Sequence, residues 1–112
     1  SIVRGTTVRT RVAKLRDMGA SEVHFRVSGP PIKHPCFYGI DFPSAKELVA
    51  VQHAPESLAA LLGLDSLHYL SLEGLKRSVS CPDHYCTACF DGVYPTALPV
   101  VQDKYSLEYH RK

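Results

Sequence analysis

The spacing of apolar residues changes from a helical to a strand-like period along the chain, and this change narrows the possible folds most. Val8, Val12 and Leu15 recur at helical intervals and predict a helix. The threonines before Val8 can cap that helix, and Gly19 can end it. Residues 22–28 then alternate apolar and polar side chains, so a strand is predicted to follow.

The second half of the chain again shows helical patterns separated by a strand pattern. Ser44 and Glu47 form a capping box, which predicts a helix that runs to about Val51. Three further elements are predicted: a helix over 55–62 with Leu58, Leu61 and Leu62 facing inward and Gly63 as its stop, a strand over 66–70, and a helix that Ser71 caps and that carries Leu72, Leu75 and Val79. Helices that alternate with strands favour an α/β fold.

Composition excludes several classes of protein. The chain has 112 residues, of which 45% are hydrophobic and 21% are charged, so we expect at most one globular domain. Its net charge of +2 is too small to predict a nucleic-acid partner. No run of 18 apolar residues occurs, so no membrane span is predicted. The chain opens without an initiator Met or a signal peptide, and we expect it to be part of a longer protein.

The opening residues, Ser1 to Thr7, run directly into the first predicted helix and combine the parts of a phosphate site. The first N–H groups of a helix lack internal partners, and a glycine such as Gly5 lets an anion approach the backbone. Thr6 and Thr7 add hydroxyl donors, and Arg4 adds positive charge. A glycine turn before a plain threonine-capped helix would explain the same residues. On their own, these residues are compatible with either interpretation.

Four cysteines form a second candidate site: Cys36, Cys81, Cys86 and Cys89. The two-residue spacer between the last two suits zinc or an iron–sulfur cluster. The run that begins at Cys81 also has the spacing of plant-type 2Fe–2S ferredoxins, with Cys36 as a distant fourth ligand. Because His34 and His84 flank the group, a mixed cysteine–histidine zinc site is an alternative. Two disulfides are a third possibility, which the missing secretory signal disfavours.

Several uncommon strings occur together in this chain: Ser1-Ile2-Val3-Arg4-Gly5-Thr6-Thr7, Pro30-Pro31-Ile32-Lys33-His34-Pro35-Cys36-Phe37-Tyr38-Gly39, Tyr69-Leu70-Ser71-Leu72-Glu73-Gly74-Leu75 and Tyr85-Cys86-Thr87-Ala88-Cys89-Phe90. The first string resembles the second half of the phosphoribosylpyrophosphate (PRPP) binding motif of type I phosphoribosyltransferases. Taken in order, the strings resemble the amidophosphoribosyltransferases over about residues 1–95.

This resemblance implies a fold and a division of the chain. Residues 1–43 would be the C-terminal part of a phosphoribosyltransferase core with a Rossmann-like parallel sheet, beginning inside the PRPP loop. Residues 44–95 would form a helical, cysteine-containing segment, and residues 96–112 an irregular tail.

The resemblance also implies an activity. Amidophosphoribosyltransferases make 5-phosphoribosylamine from PRPP and glutamine-derived ammonia in the first step of purine biosynthesis. The implied cofactors are a 4Fe–4S cluster and Mg²⁺, and the implied partners are PRPP, glutamine, the remainder of the parent chain and further copies in a homo-oligomer. The expected location is cytoplasmic, and no nucleic acid or membrane is expected to bind. The glutaminase nucleophile of the family has no match here, so no catalytic residue is expected and this segment is predicted to be inactive alone.

The implied site residues fall into two groups. The resemblance assigns the PRPP 5-phosphate to Ser1, Arg4, Gly5, Thr6 and Thr7. It assigns three ligands of a structural 4Fe–4S cluster to Cys36, Cys86 and Cys89, and the family's fourth ligand would lie upstream. Cys81 matches no family ligand and is either a free thiol or a substitute for the missing one. A small binding module stapled by zinc or an iron–sulfur cluster, without catalysis, is the alternative function.

Overall fold

The computed structural model describes residues 2–42 and 44–98, which form a βαβ unit with short helices before and after it. The helices and strands are α1 (Thr6–Asp17), β1 (His24–Val27), α2 (Val49–Gln52), α3 (Pro55–Leu62), β2 (Ser66–Tyr69), α4 (Leu72–Arg77) and α5 (Ala88–Asp91). Two 3₁₀ turns, Ala45–Glu47 and Pro82–His84, precede α2 and α5. The order of helices and strands confirms the predicted α/β class.

The two strands pair in parallel, with His24 opposite Ser66 and Val27 opposite Tyr69. Backbone hydrogen bonds extend the pairing beyond both ends, because Asp65 N donates to Val23 O at 2.9 Å and Leu70 N donates to Val27 O at 3.0 Å. Parallel strands need a long crossover connection, and the segment that contains α2 and α3 supplies it.

The core lies between one face of this sheet and helices α1 and α3. Alternation along the strands turns Val27 and Leu67 inward, while α1 contributes Val12 and α3 contributes Leu58 and Leu62. Leu58 is fully buried, with 0% of its surface exposed. The hydrophobic contacts of this cluster therefore hold both helices on the same face of the sheet.

The structure corrects three predictions about the helices. Leu61, predicted to face inward, is 49% exposed, because α3 places Leu58 and Leu62 on the buried face and turns Leu61 away. Thr6 is the first helical residue rather than a cap, and Gly5 occupies the N-cap position. The capping box of Ser44 and Glu47 is present but heads a 3₁₀ turn, and α2 begins only at Val49 because Leu48 is extended.

A charged contact joins the end of α1 to the start of both strands. Arg16 Nη2 donates to Asp65 Oδ2, and Arg16 Nη1 donates to Ser21 O at 2.6 Å. The same carboxylate oxygen accepts the backbone N–H of Val23 at 2.7 Å. The Val23 N–H and the Arg16 guanidinium hold the pKa of Asp65 below its ordinary value, so this carboxylate is charged when it makes these bonds.

Within the described ranges, no helix is long and apolar enough to cross a membrane. The tail beyond residue 98, predicted to be irregular, lies outside the described residues.

Replacement of Leu58 by Ala should destabilise the protein by about 2–5 kcal/mol, because it leaves a cavity in a fully buried position. Leu61→Ala is the matched control, since it makes the same chemical change on the same helix at an exposed side chain. The control should cost less than about 0.5 kcal/mol. Urea denaturation of the full-length protein that contains this chain measures both values, and equal losses would contradict the described core.

Asp65→Asn should make stability less dependent on pH in the acid range. A carboxyl group whose pKa is lowered on folding contributes stability above its ordinary value of 3.8 and loses that contribution as the pH falls through the lowered pKa. The difference in thermal midpoint between wild type and Asp65→Asn should thus be largest near neutral pH and shrink toward about pH 3. A difference that stays constant from neutral to acid pH would show that the Asp65 charge is not involved.

Candidate functional site

The loop before α1 lines a concave space of about 300 Å³, together with the first turn of the helix. The lining residues are Ile2, Val3, Arg4, Gly5, Thr6, Thr7 and Val8. Ile2 anchors the loop because its side chain is buried in the core with 3% of its surface exposed. Val3 O accepts the backbone N–H of Val49 at 2.9 Å, which ties the loop to α2. The loop is therefore held in place both by a buried side chain and by a backbone hydrogen bond.

Gly5 makes the turn between this loop and α1. Its φ of +81° lies in the left-handed region, and an added Cβ would come within 3.2 Å of Leu62 Cδ2. Its carbonyl accepts the first helical bond, from Arg9 N at 3.0 Å. Both the conformation and the space favour glycine, and the chain therefore passes close to α3 as it enters α1.

The first turn of α1 presents backbone donors without a competing acid. No side chain caps these N–H groups, and the turn contains no Asp or Glu. The N-terminus of a helix carries a partial positive charge, which favours an anion at that position. Thr6 and Thr7 are exposed beside these amides, so their hydroxyls can add donors.

Arg4 lies at the edge of this concave space and contacts a second element. Its Nη2 is 3.4 Å from Glu47 Oε1, and Ser44 N and Oγ each donate to Glu47 Oε2 at 3.2 Å. Desolvation raises the pKa of Glu47, but the Ser44 hydrogen bonds and the Arg4 charge outweigh it and lower that pKa. The sequence analysis did not link Glu47 to the loop, because 43 residues separate it from Arg4.

The structure thus brings Arg4, Gly5, Thr6 and Thr7 together at one helix N-terminus. Ser1, the fifth residue assigned to the 5-phosphate, lies outside the described residues. The arrangement has the backbone donors, hydroxyls and positive charge that a phosphate dianion needs. Phosphate binding by these residues stays a prediction.

The second candidate site brings three of the four cysteines into one electrostatic neighbourhood. Burial raises the pKa of the Cys89 thiol first, and the nearby Cys36 and Cys86 raise it further. Cys36 and Cys89 are half-buried, Cys86 and Cys81 are exposed, and all four thiols are free. The disulfide alternative therefore has no counterpart in the structure.

Two segments that are far apart in sequence meet at these cysteines. Lys33 N and His34 N both donate to Cys89 O, at 2.9 and 3.1 Å. Tyr94 Oη donates to Pro35 O at 2.7 Å, and its ring lies 5.3 Å from the ring of Phe37. The sequence analysis did not identify Tyr94, because nothing in the spacing indicates which residues it contacts.

Within residues 2–42 and 44–98, no three His, Cys, Asp or Glu side chains are placed to hold a metal ion. A 4Fe–4S cluster takes four thiolates, each on a different iron, so its ligands surround the cluster instead of meeting at one point. Cys36, Cys86 and Cys89 fit that requirement in chemistry and neighbourhood, and their ligation of a cluster stays a prediction.

In comparisons with known proteins, this chain matches one segment of longer relatives. No family model matches it. The amidophosphoribosyltransferase of Synechococcus elongatus is 49% identical over 100 residues, which are 88% of this chain and 20% of that protein. The Mycobacterium tuberculosis enzyme is 51% identical over 105 residues, with the same coverage of 88% and 20%.

Solved structures give the same result. The glutamine PRPP amidotransferase of Bacillus subtilis, solved with ADP and GMP, superposes with a TM-score of 0.78 at 47% identity over 92% of this chain and 23% of that one. A structure described as the allosteric regulatory enzyme of purine biosynthesis also gives a TM-score of 0.78, at 46% identity and the same coverage. The fold is therefore that of a phosphoribosyltransferase.

The relatives specify more than the class. At about half identity along most of its length, the chain corresponds to one segment of an amidophosphoribosyltransferase, which confirms the resemblance seen in the sequence. It spans about a fifth of the length of the relatives that it matches.

Proposed function

We propose that the protein containing this chain transfers ammonia, released from glutamine, to the anomeric carbon of PRPP. The nitrogen lone pair forms the new C–N bond, the C–O bond to pyrophosphate breaks, and the nitrogen loses a proton to give 5-phosphoribosylamine. The observation that supports this most directly is the loop before α1, where an uncapped helix N-terminus without acidic residues faces a concave space. The identity with named amidophosphoribosyltransferases supports the substrates and the place in purine biosynthesis.

In this proposal the loop binds the 5-phosphate and so fixes the ribose. Backbone N–H groups at the start of α1 and the hydroxyls of Thr6 and Thr7 donate to phosphate oxygens, while Arg4 adds charge from the rim. The reaction builds positive charge on the ribose ring, so a rigidly held phosphate contributes mainly by positioning. Gly5 supports this role because both its left-handed φ and the nearby Leu62 side chain favour glycine at the turn.

Other parts of the proposed enzyme lie in the remainder of the parent chain. These parts are the glutaminase nucleophile and most of the ligands for Mg²⁺, which would neutralise the charge of the pyrophosphate. We propose the parent chain and further copies of the protein as partners, and the cytoplasm as the location. This chain alone, in which the family's glutaminase nucleophile has no match, is proposed to be inactive.

We also propose that Cys36, Cys86 and Cys89 are ligands of a structural 4Fe–4S cluster whose fourth ligand comes from elsewhere in the protein. The shared neighbourhood of these thiols supports this, as do the bonds that join the two segments that carry them. When bound, the cluster would supply a covalent link between those segments and no redox step.

Arg4→Ala and Thr6→Val should weaken PRPP binding by the full-length protein. Loss of a charge-assisted contact by Arg4→Ala should raise the Kd about tenfold, and loss of one neutral hydroxyl by Thr6→Val should raise it by roughly fivefold. Isothermal titration calorimetry with PRPP measures both.

Arg11→Ala is the matched control for the charge change. Arg11 is exposed on the second turn of α1 and does not line the loop cavity. At about 0.15 M salt its effect should stay below about twofold, since distant exposed charges are screened. Equal effects of Arg4→Ala and Arg11→Ala on the Kd would show that PRPP is attracted only by the general positive charge of this surface. Unchanged Kd values in Arg4→Ala and Thr6→Val would refute phosphate binding by the loop.

Cys86→Ser should remove iron and the broad absorbance near ~400 nm from anaerobically purified protein, because a serine hydroxyl replaces one of the thiolates. Cys81→Ser makes the same change at an exposed thiol outside the proposed ligand set and should leave both signals intact. Iron loss in Cys81→Ser would make Cys81 a ligand as well. A colourless wild-type protein that binds one zinc per chain would favour the stapled module instead.

A further inference from the structure

The bare face of Gly92 is covered by the imidazole ring of His34. A Cβ added to Gly92 would lie 3.0 Å from His34 Cε1 and 3.1 Å from His34 Nε2. Gly92 ends α5 with a φ of +77°, and its N–H donates to Ala88 O at 2.8 Å. An alanine at this position would therefore fit only if the ring moved by a few tenths of an ångström.

The contact between the His34 ring and Gly92 adds to the hydrogen bonds that join two segments of the chain. Segment A, residues 32–38, contains His34 and Cys36, and segment B, residues 86–94, contains Cys86, Cys89 and Gly92. The backbone N–H of His34 donates to Cys89 O at 3.1 Å, so one residue contacts segment B through both its backbone and its ring.

We propose that His34 is a positioning residue, whose ring packs against Gly92 and keeps Cys36 in register with Cys86 and Cys89. The inference extends the proposed cluster and, for iron binding, rests on it. The His34 ring packs against Gly92, which follows Cys89 by three residues. Cys36 follows His34 by two residues in the same segment. Only Pro35 separates His34 from Cys36, so the proposal predicts that displacement of the ring moves Cys36 relative to the other two thiols.

The alternative is that His34 is an ordinary loop residue whose ring has no positioning role. That role predicts no special sensitivity at Gly92 beyond the strain of a left-handed residue. The two roles predict different effects of a methyl group added at Gly92. It shifts segment A if His34 is a positioning residue and leaves segment A in place if it is not.

The test compares Gly92→Ala with Gly63→Ala in the full-length protein. The two glycines have nearly equal φ values, +77° and +74°, so alanine strains the backbone similarly at both. At Gly63 the added Cβ would only reach ordinary contact, 3.6 Å from Val12 Cγ1, whereas at Gly92 it would meet the His34 ring. Differences between the variants therefore report the ring contact.

Two readouts follow the register of the segments. Hydrogen exchange of peptides containing Lys33 and His34 reports the bonds to Cys89 O and needs no iron. Exchange there should become about tenfold faster in Gly92→Ala, as expected for overpacking of a close contact, and stay unchanged in Gly63→Ala. Iron content per chain should fall severalfold in Gly92→Ala alone.

His34→Ala and the double variant His34→Ala/Gly92→Ala complete the cycle. With the ring removed, the added methyl group has nothing to displace, so the double variant should match His34→Ala instead of adding the two losses. Equal exchange and iron content in Gly92→Ala and Gly63→Ala, or strictly additive losses, would overturn the inference. A wild-type protein without iron that still shows the exchange pattern would refute the cluster and leave the packing role of His34 standing.

Discussion

The parallel pairing of β1 with β2 decides where the other elements can lie. Parallel strands cannot be joined by a tight turn, so the chain between them must cross one face of the sheet, and α3 covers that face with Leu58 and Leu62. The same apolar surface receives Val12 of α1. Through Arg16 and Asp65, the end of α1 is then tied to the start of both strands, so α1 is held at its core face and at its C-terminal end.

Because α1 is held in this way, its N-terminal end has a defined position, and the loop before it inherits that position. Val3 bonds to the backbone of α2, and Gly5 passes close to Leu62 of α3. The loop therefore rests on the crossover connection itself. A phosphate site built here would be rigid without any ligand, which agrees with a role in positioning a sugar and not in supplying a reactive group.

The sequence was sufficient for most of the periodic elements. Strand alternation at residues 22–28 and the proline-to-glycine helix at 55–62 are local patterns, and the structure keeps both with small changes at the ends. The inward face of α3 was partly wrong, because three leucines fit the helical period and only packing decides that Leu61 stays outside. Contacts between distant residues, such as Arg4 with Glu47 or Tyr94 with Pro35, depend on the tertiary fold and leave no periodic signal.

The cysteine region shows why such contacts matter for function. Spacing alone made Cys86 and Cys89 a metal motif, but left open which ion and which other ligands. The fold places segment A, which carries Cys36, beside Cys89, because Lys33 N and His34 N both donate to Cys89 O. Segment A contains no helix or strand, whereas segment B contains α5 and several internal hydrogen bonds. In the proposed function, a cluster held by thiolates from both segments would stabilise the part of this chain that lies outside the βαβ core. The His34–Gly92 contact joins the same two segments.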